Sequence, residues 1–166
     1  MQQSNLMKRV AELSLENSTN DYKFGGPFGA LITSPDGKII SEAKNSVLSD
    51  CDPTAHAEIN AIRTACKKLK THDLSNYILY TSCYPCPMCL GAIVWSNIKT
   101  VYYGNTKEDA EDIGFRDNQI YEFIKGKNNI INFQNIDRDI TIKVFEDYKN
   151  NCNKINYIIF FLFLLL

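Results

Sequence analysis

Pro85-Cys86-Pro87-Met88-Cys89 is the stretch on which the reading of this chain turns, together with His56-Ala57-Glu58 upstream of it. Cys86 and Cys89 are three residues apart, so at the start of a helix they share one face. Pro87 suits the first helical position, where no amide donor is needed, and the positive end of the helix dipole favours thiolates there. Histidine and cysteine are preferred zinc ligands, and a catalytic zinc takes three of them and keeps a fourth position for water. His56 lies near a second helix start, with Asp52 or Thr54 as a cap. That setting favours the neutral imidazole a metal requires. Glu58 is turned about 200° from His56 around a helix, so it does not bind the same ion. A carboxylate beside a metal site suits proton transfer instead.

Outward from this centre, the periodicity predicts an amphipathic helix over 5–17 and a hairpin of strands 28–33 and 38–41 joined by Pro35-Asp36-Gly37. It then predicts a helix over 54–70, a strand over 76–81, a helix over 87–95 and a strand over 100–104. Helical segments follow near 106–112, 118–125 and 137–150, with Asn-rich stretches at 128–135 and 150–156 read as a loop and a terminal arm. This order implies a mixed sheet with helices on its faces.

The 166 residues fit one core, and 45% hydrophobic with 22% charged residues is the balance of a globular domain. Eighteen Lys and Arg against nineteen Asp and Glu leave a net charge of -1. Nucleic acid is not the favoured partner on that balance, because phosphate neutralisation normally requires a basic surplus. Charges at Lys8, Arg9, Glu12 and Glu16 break any signal-peptide run, which predicts a cytoplasmic protein with reduced thiols. Residues 158–166 are wholly apolar, but they fall well short of the ~20 residues needed to span a membrane.

Other readings of the cysteines fit less well. Cys83, Cys86 and Cys89 suggest an iron–sulfur run, but the further cysteine it needs is Ile93. Cys83 is therefore left outside the ligand set, Cys66 is read as core, Cys51 and Cys152 as free thiols, and His72 as an exposed loop residue.

His-x-Glu followed by Pro-Cys-x-x-Cys is the pattern of the zinc deaminases. The likeness extends to Gly25-Gly-Pro-Phe-Gly-Ala30, Asp52-Pro-Thr-Ala-His-Ala-Glu58, Leu79-Tyr-Thr-Ser-Cys83 and Gly114-Phe-Arg-Asp117. In order and spacing these motifs resemble the bacterial guanine deaminases of the cytidine deaminase-like superfamily, over roughly residues 5–157. The resemblance implies an α/β, three-layer α-β-α fold with a central five-stranded mixed sheet. It implies a catalytic domain over 1–157, with 158–166 as an apolar extension that has no family counterpart.

The implied activity is hydrolysis of guanine, a small purine base, to xanthine and ammonia. By the same resemblance His56, Cys86 and Cys89 hold Zn2+ and Glu58 moves the proton. Phe28, Asn45, Trp95, Asp117 and Tyr157 contact the base, with Asp117 also catalytic. It further implies a homodimer in which the C-terminal segment swaps and Tyr157 covers the partner's site. Without the resemblance, Phe28 reads as core, Asn45 as a loop polar residue and Asp117 as a helix N-cap. Tyr84 stands where the family commonly has Glu before Pro-Cys. The rival functions are a tRNA wobble adenosine deaminase, a cytosine deaminase, and a zinc-stabilised binding module without activity.

Overall fold

The computed structural model describes residues 2–19, 21 and 23–155; Tyr157 and the apolar stretch 158–166 lie outside the described residues. The chain runs α1 (Gln2–Ser18), β1 (Gly29–Thr33), β2 (Ile39–Lys44), α2 (Val47–Asp50), α3 (Ala57–Leu69), β3 (Ile78–Cys83), α4 (Pro87–Trp95), β4 (Thr100–Asn105), α5 (Lys107–Asp112), α6 (Asn118–Ile124) and α7 (Arg138–Asn150). The strands form one sheet in the order β2-β1-β3-β4. β1 pairs antiparallel with β2 and β3, while β3 and β4 are parallel. The hairpin turns at Gly37, whose φ of 86° lies in the left-handed region that favours glycine.

Strand alternation sorts the core into two layers. Leu31 and Tyr80 face one side and pack with Leu6 and Val10 of α1. Ala30, Ile32 and Leu79 face the other side and pack with Ala57, Ala61, Ile62 and Ala65 of α3 and Ile93 of α4. Leu31, Ile32 and Leu79 are fully buried, each stabilising the fold by roughly 1.5–3 kcal/mol. α1 lies so close to β1 that a Cβ at Gly29 would come within 2.7 Å of the Val10 carbonyl. The three-layer arrangement expected from the sequence is present.

The number of strands is not: among the described residues the sheet has four, not five. The residues themselves predict four, and the fifth was implied by the resemblance. Immediately after β4, Thr106 begins a capping box with Asp109 that turns the chain into α5. β4 is left as an edge strand with Tyr102 and Tyr103 exposed. Beyond it, neither α6 nor α7 has a buried residue.

Candidate active site

Three ligand atoms converge from two helix starts. His56 is the N-cap of α3 and Cys86 the N-cap of α4, both in extended backbone, with Pro87 in the first turn. Neither Asp52 nor Thr54 caps α3, because the Asp52 carboxylate is occupied by the backbone and hydroxyl of Thr54. Nδ1 of His56 lies 3.6 Å from Sγ of Cys86 and 3.7 Å from Sγ of Cys89. All three atoms fall within 4.8 Å of one another. Tetrahedral zinc with bonds of ~2.3 Å to sulfur and ~2.05 Å to nitrogen would separate N and S by about 3.6 Å. The donor set therefore fits zinc.

The electrostatics suit a cation. The Cys86 thiol is pulled down to about 4, first by its hydrogen bond with Cys89 and then by His56 and the Cys89 backbone amide, against the opposing effect of burial. The hydrogen bond with Cys86 also raises His56 above its ordinary value, with burial opposing. Cys83 differs: burial pushes its thiol up to about 11, and its Sγ donates to the Thr106 carbonyl. It stays outside the ligand set, as expected.

Glu58, in the first turn of α3, is buried beside the three ligands. The Thr81 hydroxyl donates to its Oε1 at 3.0 Å, and Oε2 lies 3.5 Å from Cys89 Sγ. Burial is the main force raising the carboxyl, opposed by its own backbone amide and Thr81. A buried carboxyl that is not a metal ligand can both take and return a proton.

His56, Glu58 and Cys86 open into a small cleft walled by Phe28, Phe115, Cys83, Tyr84 and Asp117. Phe28 and Phe115 meet edge to face, 4.7 Å apart at 84°. Asp117 occupies the N-cap position of α6 but makes no side-chain cap bond. Its carboxyl faces the cleft, and burial, reinforced by the Cys86 charge, pushes it up.

Asn45 is buried behind Phe28: its N–H donates to the Phe28 carbonyl and its Oδ1 accepts from the Val47 N–H. A methyl at Gly25 would collide with that Oδ1. Trp95 is not brought to the cleft. About 12 Å along α4 from Pro87, it lines a groove with Met88, Ile59 and Ile62. Sequence reasoning missed Thr81, Phe115 and Asn17. Buried Asn17 donates to the carbonyls of both Gly26 and Asn45. Phe115 sits inside the Gly-Phe-x-Asp motif, which was the available signal for it.

Residues 1–105 match the family described as the cytidine and deoxycytidylate deaminase zinc-binding region. The chain is also 43% identical to the guanine deaminase of Bacillus subtilis over 159 residues, covering 95% of this chain and 100% of that one. It belongs to the guanine deaminase family. The X-ray structure of that Bacillus subtilis protein superposes with a TM-score of 0.87 over 93% of this chain and 98% of the other. A guanine deaminase from Nitrosomonas europaea superposes at 0.61 with 36% identity, over 68% and 63% of the two chains. A tRNA-specific adenosine deaminase of Buchnera aphidicola is 45% identical, but only over 50% of this chain and 54% of its own. Membership of the family carries zinc to the cluster whose geometry already fits it.

Proposed function

We propose that this protein hydrolyses guanine to xanthine and ammonia, and that it does so with Glu58 as the proton carrier. The observation that carries the reading is a buried carboxyl that is not a ligand, held by Thr81 beside a three-ligand zinc set. A purely structural zinc would not require it. When bound, zinc supplies hydroxide near neutral pH by lowering the pKa of a coordinated water.

The protein groups do the rest. Oε1 of Glu58 is engaged by Thr81, so Oε2 takes one proton from the water that attacks C2 and, once the oxygen is bonded to C2, takes the second from that hydroxyl. It returns protons to the ring nitrogen and to the amine. The C2–nitrogen bond breaks and ammonia leaves. Phe28 with Phe115 walls the flat base, and Asp117 accepts from the N–H donors that guanine presents. Asn45, with Oδ1 held by Val47, presents its amide N–H2 to the purine. Ammonia release from guanine, cytosine and adenosine-bearing tRNA, measured side by side, tests the substrate. Release from guanine is the expected result. Release only from tRNA would favour the adenosine deaminases, against which the net charge of -1 counts.

The same reading includes a cytoplasmic homodimer. Thiolate ligands persist in a reducing compartment, and among the described residues no helix is long and apolar enough to cross a membrane. The segment from Ile130 onward exposes Ile136, Ile140, Val144 and Phe145, each at least 66% accessible. A second copy that receives this arm would cover that apolar surface, and Tyr157 would close the partner's cleft. Mixing Glu58→Gln subunits with subunits truncated before Tyr157 tests the swap. Activity above either parent supports it, and none despite proven heterodimers overturns it.

A further inference from the structure

The floor of the cleft is buried chemistry and its rim is aromatic: Phe115 and Tyr84 are 38% and 37% exposed. Each rim residue is shared with an adjoining cavity. Beyond Phe115 lies one of about 440 Å3, formed with Gly25, Gly26, Pro27, Leu48 and Ile113, which offers no polar side chain. Beyond Tyr84 lies another of about 440 Å3, lined by Tyr103, Thr106, Lys107, Glu108, Tyr121 and Lys125. Tyr84 lines both the cleft of the reacting groups and this polar cavity, and so stands between them.

Tyr84 is held on three sides. The Tyr84 N–H donates to the Asn105 carbonyl at 2.8 Å, and the carbonyl of the next residue, Pro85, accepts from the Tyr121 hydroxyl at 2.9 Å. The ring itself meets Tyr103 edge to face at 5.1 Å. Rotating it out of the way would sacrifice that contact.

In a purine the five-membered ring is the part remote from C2, and N9 belongs to that ring, on the N3 edge. If C2 is to react beside His56, Cys86 and Glu58 on the buried floor, the five-membered ring and N9 point toward the rim. A hydrogen on N9 needs no room, whereas a sugar there must pass Phe115 or Tyr84. Only the Tyr84 side holds hydroxyls and ammonium groups that match ribose and a 5′-phosphate. Its two lysines are in loose, exposed pairs, Lys107 with Glu108 and Lys125 with Glu122, each at 3.6 Å.

We propose that Tyr84 is a specificity-determining residue: its ring confines the cleft to free purine bases by closing it off from the adjoining cavity, which becomes a ribose site when the ring is removed. The inference rests on the guanine reading.

The test uses the full-length zinc-loaded protein, Tyr84→Ala and Tyr84→Phe. Ammonia release is measured from guanine and from guanosine, and binding of both by equilibrium dialysis. Water adds at C2 and ammonia departs in either substrate, so only fit differs. Tyr84→Ala should raise the guanosine-to-guanine ratio, in kcat/KM and in affinity, by about tenfold or more. Tyr84→Phe should keep the parent ratio, because the ring remains. An unchanged ratio in Tyr84→Ala, or an equal rise in Tyr84→Phe, would overturn the proposal. The ratio is insensitive to partial loss of folded protein, and Tyr84→Leu serves if the alanine variant fails to hold zinc. A parent inactive on guanine would instead sink the guanine reading, and the binding ratios still decide the role of Tyr84.

Discussion

The Thr81 hydroxyl donates a 3.0 Å hydrogen bond to Oε1 of Glu58 and so ties β3 to the first turn of α3 beside the zinc donors. Leu79, Thr81 and Cys83 alternate onto the same face of β3, and in that order they meet the core, Glu58 and the cleft. Replacing Thr81 with valine keeps the shape and removes the donor. A hydrogen bond to a charged group contributes about 1.5–3 kcal/mol. We therefore expect kcat to fall roughly 10- to 100-fold with zinc content unchanged, read by steady-state kinetics and metal analysis. Wild-type kcat would show that Thr81 does not position the carboxyl.

Glu58→Gln should retain zinc, because Glu58 is not among the three ligands, and should lose turnover. The amide cannot carry the proton, and general acid–base catalysis contributes on the order of 100- to 10,000-fold. Loss of zinc in this variant would place Glu58 in the ligand set instead.

Cys89→Ser should behave in the opposite way. Cys89 is fully buried within the cluster, so its loss should remove both zinc and activity and lower the thermal midpoint, since bound metal stabilises the native state. Chelation of the parent should abolish activity and added zinc should restore it. Full activity after verified metal removal would refute the zinc assignment.

Asp117→Ala should impair guanine turnover and leave the fold intact, because the carboxyl caps nothing in α6 and faces the cleft. A cooperative unfolding curve close to the parent's, combined with weaker kcat/KM, is the expected pair of results. If the side chain mattered only as a helix cap, the variant would lose stability and keep its kinetics.

Asp109 gives a prediction in pH. Its carboxylate is held below the usual range by the Thr106 backbone amide first and the Thr106 hydroxyl second. A depressed folded-state value means that the stabilisation is present above the unfolded value near 3.8 and is lost as pH falls through the folded one. Between neutral pH and pH ~3 the parent should therefore lose more thermal stability than Asp109→Asn. Equal losses would show that the capping box contributes nothing measurable.

The ligand set was legible in the sequence because its spacing is local. Cys86 and Cys89 need only one helical turn to share a face, and Glu58 needs only two residues to point away from His56. The element order was legible for the same reason, since periods of two and of 3.6 are written in neighbouring residues. Residues 28–33 and 76–81 were read within about two residues of β1 and β3. The expected fifth strand came from likeness rather than from residues, and the four strands that the residues themselves predict are the four in the sheet.

By itself, then, the sequence determined the zinc donors, the carboxyl that stands beside them, the helix and strand order and the family. Tertiary structure alone decided that His56 meets Cys86 across 30 positions at 3.6 Å, that Thr81 reaches Glu58, that Tyr84 and Phe115 form the rim, and that Trp95 lies on a different groove. Periodicity states which way a side chain faces along its own element. Which elements meet is set by sheet order and register, and those are properties of the packed chain rather than of any window of residues.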